Sequence, residues 1–194
     1  MKYPILLPDY LSDFSEFIAF WSKQYYYPTN ISYYSENIHK KEYTEEDITD
    51  LYTWKNGMKL SVKKEKSLQE KILAKLEILN VYKKEKELPL NAFLSEFKGV
   101  SFVWKIFLLH ILKPDQYPIY DQHIHRAFKY LHPENGNLQK VSKNEFYFDH
   151  YLLFIKQQGV KDLKKLDEAF FAFGQFLNTK KYRTLLNTRT NVNF

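Results

Sequence analysis

Apolar residues recur at helical spacing along almost the whole chain, most runs open on a capping residue, and strict alternation is nearly absent. A chain patterned this way buries stripes of helix against one another and offers no row of inward side chains for a sheet, so the expected fold class is all-α. Asp13 and Glu16 have capping-box spacing ahead of a stripe formed by Phe14, Phe17, Ile18 and Trp21. Residues 28–43 are expected to be an irregular, Tyr-rich connection. Thr44 caps a second helix that the Asn56-Gly57 pair ends, and Ser67 with Glu70 is expected to open a Lys-rich helix whose apolar face is Leu68, Ile72, Leu76 and Leu79. Further helices are expected at about 91–97, 102–112, 121–131, from Ser142 to Gln158, and from Leu163 to Leu177, with a break at Pro133, Asn135 and Gly136. Residues 1–177 are expected to form one helical unit, and 178–194 a loose basic tail.

Composition narrows the chemistry. With 44% hydrophobic and 18% aromatic residues among 194, the chain can close a sizeable core. It has no cysteine, which excludes disulfides, thiolate zinc sites, an iron–sulfur cluster and a cysteine nucleophile. No apolar run reaches membrane-span length and acidic residues come early, so no membrane association and a cytoplasmic location are expected. The net charge of +6 is unevenly spread: residues 1–54 carry −5, 55–87 carry +5 and 178–194 carry +4. Segregated positive charge suits a polyanionic partner, although a Lys-rich helix can equally be a solvated face.

The segment 97–127, FKGVSFVWKIFLLHILKPDQYPIYDQHIHRA, is the most informative. A short helix, a turn over Lys98, Gly99, Val100 and Ser101, and a strongly apolar helix form a helix-hairpin-helix pattern. The unpaired N–H groups that open the second helix could bind a phosphate, with Gly99 supplying backbone freedom and Val100 anchoring the turn inward.

These residues resemble the HhH-GPD superfamily of base-excision DNA glycosylases, in particular its endonuclease III-like members. Phe97-Lys98-Gly99-Val100-Ser101 stands where the family has L-P-G-V-G, and Tyr120-Asp121-Gln122-His123-Ile124-His125-Arg126 where it has V-D-T-H-V-x-R. Twenty-two positions separate Gly99 from Asp121, with Pro114 and Pro118 between them. The resemblance implies a two-lobed helical fold, DNA as partner, no cofactor, DNA contacts from Lys98, Gly99, Val100 and Ser101, and Asp121 as the catalytic residue. It also has departures. Ser101 replaces the second hairpin glycine, Val103 stands where bifunctional members carry a Schiff-base lysine, and the Fe–S cysteines are missing. The expected activity is therefore that of a monofunctional glycosylase.

Breaking an N-glycosidic bond builds positive charge on the sugar, which a carboxylate at Asp121 could stabilise while orienting the attacking water. The alternative is that Asp121 only caps the helix that follows it. A flipped base needs an aromatic pocket, for which Trp54 and Tyr26, with Tyr25 and Tyr27, are candidates. His123 and His125 are two residues apart on a helix and cannot share a metal, so no metal is expected, and Arg126 fits a structural or phosphate contact. Two rival functions are a noncatalytic DNA-binding protein on a glycosylase scaffold and a helical protein-interaction domain.

Overall fold

Five of the described helices start where a side chain accepts a free backbone N–H: those capped by Asp13, Thr44, Asp121, Ser142 and Asp162. The computed structural model describes residues 13–27, 30–132 and 141–179, and among these there is no strand. Asp13 accepts the Glu16 N–H at 2.8 Å and opens α1 (Phe14–Ser22). The connection expected to be irregular contains one helical turn, α2 (Ser32–Ser35), which seats Tyr34 in the core. A reciprocal capping box between Thr44 and Asp47 starts α3 (Glu45–Asn56), and Gly57 ends it in the left-handed conformation at φ 76°.

The Lys-rich helix α4 (Val62–Lys71) begins well before the expected start, with Ser61 rather than Ser67 at its N-terminal boundary, and runs through Ser67. Leu68 is its buried side chain, and exposed Lys63, Lys64 and Lys66 need no box to remain helical. A 3-10 turn at Leu73–Lys75 then redirects the chain into α5 (Leu76–Lys84), so Leu68, Ile72, Leu76 and Leu79 lie on two helices instead of one. Helices α6 (Leu90–Glu96), α7 (Phe102–Leu112) and α8 (Gln122–Leu131) follow close to the expected bounds. The next long helix is composite. It starts as α9 (Lys143–Glu145), capped by Ser142, widens into a π-helical stretch over Phe146–Tyr151, and continues as α10 (Leu152–Gln158) until left-handed Gly159. The last helix is α11 (Leu163–Leu177). The expected break at 133–136 and most of the basic tail lie outside the described residues.

Helix α7 is apolar apart from Lys105 and His110, and every residue from Ile106 to Leu112 is buried, His110 included. Near its end the Ile111 carbonyl accepts from Lys83 Nζ at 2.6 Å and from the Tyr43 hydroxyl at 2.7 Å, and the same Lys83 Nζ donates to Ile38 O, ahead of α3, at 3.1 Å. His110 is tied at both nitrogens. Its Nδ1 lies 2.8 Å from Tyr117 O, which can only accept, so Nδ1 carries the proton and Nε2 accepts from the Tyr34 hydroxyl at 2.7 Å. On the other side, α11 packs against both α1 and α8, with aromatic edges from Phe17, Phe170, Phe173 and Trp21 filling the α1 contact. No helix among the described residues is long and apolar enough to cross a membrane.

The contact between α8 and α11 is close enough to involve backbone. A Cβ added at Gly174 would fall 2.0 Å from His123 O, and Arg126 Nη1 donates to Gly174 O at 2.8 Å. Gly to Ala inside a helix ordinarily stabilises by about 0.5–1 kcal/mol. Here Gly174→Ala is expected to reverse that sign and cost about 1–3 kcal/mol in urea unfolding, because two helices must separate; a stabilised variant would contradict this packing.

Burial pushes the His110 imidazole down to about 3. The unfolded value is about 6.5, so unfolding takes up a proton between those limits. The contribution to stability is complete above about pH 6.5 and is lost as the pH falls towards the folded value. His110→Gln should therefore lose less stability than the wild type between about pH 6.5 and pH 4, measured by urea unfolding. A parallel loss in both proteins would exclude His110 as the source.

Candidate functional site

A short turn over residues 97–101 joins α6 to α7. Val100 N–H donates to Phe97 O at 3.0 Å, and the first helical bond of α7 runs from Lys105 N–H to Ser101 O at 2.8 Å. The N–H groups of Phe102, Val103 and Trp104 precede that bond, at the end of the helix marked by exposed Ser101. Val100 is buried, while Lys98, Gly99 and Ser101 are exposed. One part of the expectation is corrected: Gly99 is not among the residues with positive φ, so the turn does not depend on glycine's backbone freedom. A Cβ there would meet nothing within 4 Å. A bare backbone at Gly99 can still let another molecule approach closely.

Asp121 does cap α8. Its Oδ1 accepts the N–H groups of His123 at 2.8 Å and Ile124 at 3.0 Å. Its other oxygen, Oδ2, lies 3.5 Å from Nζ of Lys55, near the end of α3, and both side chains are largely buried, with Lys55 at 8% and Asp121 at 17% exposure. Capping fixes the carboxylate's orientation, and Oδ2 remains outside the cap.

That carboxylate lines a cavity of about 20 Å³, room for one water, shared with Trp54, Lys55, Tyr25, Tyr27 and four residues of α11. The α11 residues, Lys164, Asp167, Glu168 and Phe171, recur at i, i+3, i+4 and i+7, so they occupy one face of that helix. The Lys164 ammonium lies 5.0 Å from the ring centre of Tyr25, 5.3 Å from Tyr34 and 5.6 Å from Trp54, and donates to Glu168 Oε1 at 2.6 Å. A cation over three rings is held by their quadrupoles, so Lys164 occupies the aromatic surface on which a planar ligand would stack.

Of the aromatic candidates, Trp54 lines the cavity and Tyr26 does not. The Tyr26 ring is 75% exposed, whereas Tyr25 and Tyr27 stack with centroids 6.1 Å apart and meet Phe171. Tyr25 and Tyr27 are half-buried, with exposed Tyr26 between them. Burial pushes the Tyr27 hydroxyl up to about 12, so it stays a neutral donor, and it is satisfied by Lys55 O at 3.1 Å.

Asp167 is the second carboxyl of the cavity. Only 4% of it is exposed, and its Oδ2 accepts the Ile119 N–H at 2.8 Å. Oδ1 has no hydrogen-bond partner, and neither does the buried Trp54 Nε1. The Tyr151 hydroxyl couples to the same carboxyl but does not meet it in ordinary hydrogen-bond geometry. Burial raises the Asp167 carboxyl well above the usual carboxylate range.

The histidines of the D-x-H-x-H run are positioned by packing. Burial lowers His123, and His125, against Phe146 and the Tyr120 hydroxyl, is pushed down to about 4. Arg126 donates to Gly174 O and to His123 Nδ1, which makes it a clamp between α8 and α11. Among the described residues no three metal-ligating side chains converge. Lys55, Lys164, Asp167 and Glu168 were not singled out from sequence; for the three on α11 the signal available was that helix's second, polar stripe. No family model, curated protein or solved structure matches the chain.

Proposed function

We propose that the protein is a monofunctional DNA glycosylase on a two-lobed helix-hairpin-helix scaffold, hydrolysing the N-glycosidic bond of a flipped modified base. The observation that carries this reading is the position of Asp121: a carboxylate fixed by two N–H groups, its second oxygen on a cavity walled by aromatic rings, 22 residues after the hairpin glycine. At about 4 Å and an effective dielectric near 20, such a charge stabilises a cationic sugar by roughly 4 kcal/mol. That corresponds to about a thousandfold in rate. Exposed Lys98 and Ser101 and the first-turn N–H groups of α7 supply the phosphate contacts, and the lysines of α4 add sequence-independent attraction.

Two lysines close the cavity in the free protein, and DNA provides what each needs in order to leave. Lys55 pairs with Asp121 at 3.5 Å, and a backbone phosphate is a competing anion for it. Lys164 lies over the aromatic faces, and a stacking base competes for the same surface. The closed cavity is also the observation that favours the second reading, a noncatalytic DNA-binding protein whose Asp121 serves as cap and ion-pair partner alone.

Abasic-site formation separates the two. Asp121→Asn retains the capping oxygen and is expected to keep the fold and most DNA affinity while lowering excision by about two to four orders of magnitude. Equal excision by the variant would reduce Asp121 to a cap. Borohydride should trap no covalent adduct with the wild type, because half-buried Val103 stands at the lyase position. An adduct that disappears in Lys55→Arg would make Lys55 the nucleophile in place of water.

DNA affinity is expected to fall steeply with salt, as counterions released from several phosphates require. Gly99→Asp should weaken it further without unfolding the protein, since the site has open space for a side chain. Flat salt dependence, or unchanged affinity in a folded Gly99→Asp protein, would leave the hairpin as scaffold only.

A further inference from the structure

Asp121 and Asp167 line one cavity but are held in opposite ways. Asp121 accepts two N–H groups on one oxygen and has the Lys55 ammonium 3.5 Å from the other, so both of its oxygens have partners. Asp167 is buried, accepts a single N–H from Ile119, and leaves its second oxygen without a partner. An unpartnered carboxylate oxygen in that environment is costly, whereas a carboxylic acid places a proton on the same atom. Two carboxyls at one site, one with partners on both oxygens and one buried with an oxygen unpaired, are an arrangement that can split acid from base work.

We infer that Asp167 donates the proton that the departing base takes up as its bond to C1′ breaks. This rests on the glycosylase reading. As the C1′–N bond cleaves, its electron pair goes to the base, and the Asp167 proton is delivered to a ring nitrogen or oxygen of that base. Water adds to C1′ and gives its proton to Asp121. The products are the neutral base and an abasic sugar, with Asp167 ionised and Asp121 protonated; proton exchange with solvent restores both. The substrate class this serves is a neutral base, which leaves poorly as an anion. A base alkylated on a ring nitrogen already carries positive charge and leaves neutral without help.

The charged and titratable groups around Asp167 come from every element packed on it: Lys164 and Glu168 on α11, Lys55 on α3, Asp121 ahead of α8, Tyr151 and Tyr147 in the π-helical stretch, and Tyr34 and Tyr25 on the N-terminal side. Lys164 and Lys55 favour the ionised form of Asp167 and Asp121 opposes it, while burial, the largest influence, holds it protonated.

The test compares wild type and Asp167→Asn on duplexes carrying 7-methylguanine and on duplexes carrying a neutral modified base such as hypoxanthine or uracil. Asn keeps an oxygen for the Ile119 N–H but has no acidic proton. The expected result is a roughly 100- to 1,000-fold loss on the neutral base and at most a few-fold change on 7-methylguanine. Wild-type excision of the neutral base should fall with rising pH, and that limb should be absent from the variant. Equal loss on both substrates, no loss on either, or an unchanged pH limb would overturn the assignment and leave the glycosylase reading standing. Where the wild type accepts only the neutral base, the pH limb decides; a wild type that releases only 7-methylguanine would overturn the assignment. A wild type that releases neither, nor any other base, would remove the reading itself. Carbon-13 NMR of the unmutated protein adds an independent readout: the Asp167 carboxyl should remain protonated at about pH 6, where free aspartate is ionised, and an ionised carboxyl there would overturn the assignment even if the variant misfolds.

Discussion

The approach of α11 to α8, with the Gly174 backbone against the His123 carbonyl, is the contact on which the candidate site depends. It places the first turn of α8, and with it Asp121, beside the polar face of α11. Arg126 locks that distance by donating to Gly174 O, and the same residue steadies His123 at the start of α8. Without so close an approach, the α11 carboxyl could not accept the Ile119 N–H two residues before Asp121. Helix packing at backbone distance is therefore what turns two separate capping and packing features into a shared cavity.

The third wall comes from α3, which ends on Trp54, Lys55 and Asn56 before left-handed Gly57. Tyr52 fixes that helix to α7 by donating to Trp104 O at 2.9 Å, and the Trp54 ring lies between Tyr34, Tyr27 and Phe107. Lys55 is thus carried to Asp121 by a rigid aromatic block and not by a flexible loop. Two ammonium groups, two buried carboxyls and Glu168 then share a space for about one water. In such a cluster the ammonium and carboxylate charges offset one another.

Local features were legible wherever a local rule decides the outcome. The caps at Asp13, Thr44 and Asp121, the terminators Gly57 and Gly159, and the bounds of α7 all follow from residues adjacent in sequence. The start of the Lys-rich helix was not, because good helix formers before Ser67 continue a helix through a residue that could have capped one. Tyr26 was misplaced because a run of three tyrosines does not reveal which parity faces inward. The role given to Gly99 failed because glycine is permitted in left-handed turns without being confined to them. Lys55 and Asp167 needed the tertiary fold: they meet Asp121 from positions 66 residues before and 46 residues after it, and no spacing rule spans such separations. The helical turn at Ser32–Ser35 and the π-helical stretch at Phe146–Tyr151 likewise serve core packing of Tyr34, Phe146 and Tyr147 and carry no sequence mark of their own.

The central claim is that the Asp121 cavity releases a base from DNA. Its most direct test is mass spectrometry of the small molecules liberated when the purified protein is incubated with duplexes bearing deaminated, oxidised and alkylated bases. The account predicts a free, chemically intact base and a strand that stays whole until alkali cleaves it at the abasic site. Tight, salt-dependent binding to these duplexes with no base released from any of them would contradict it.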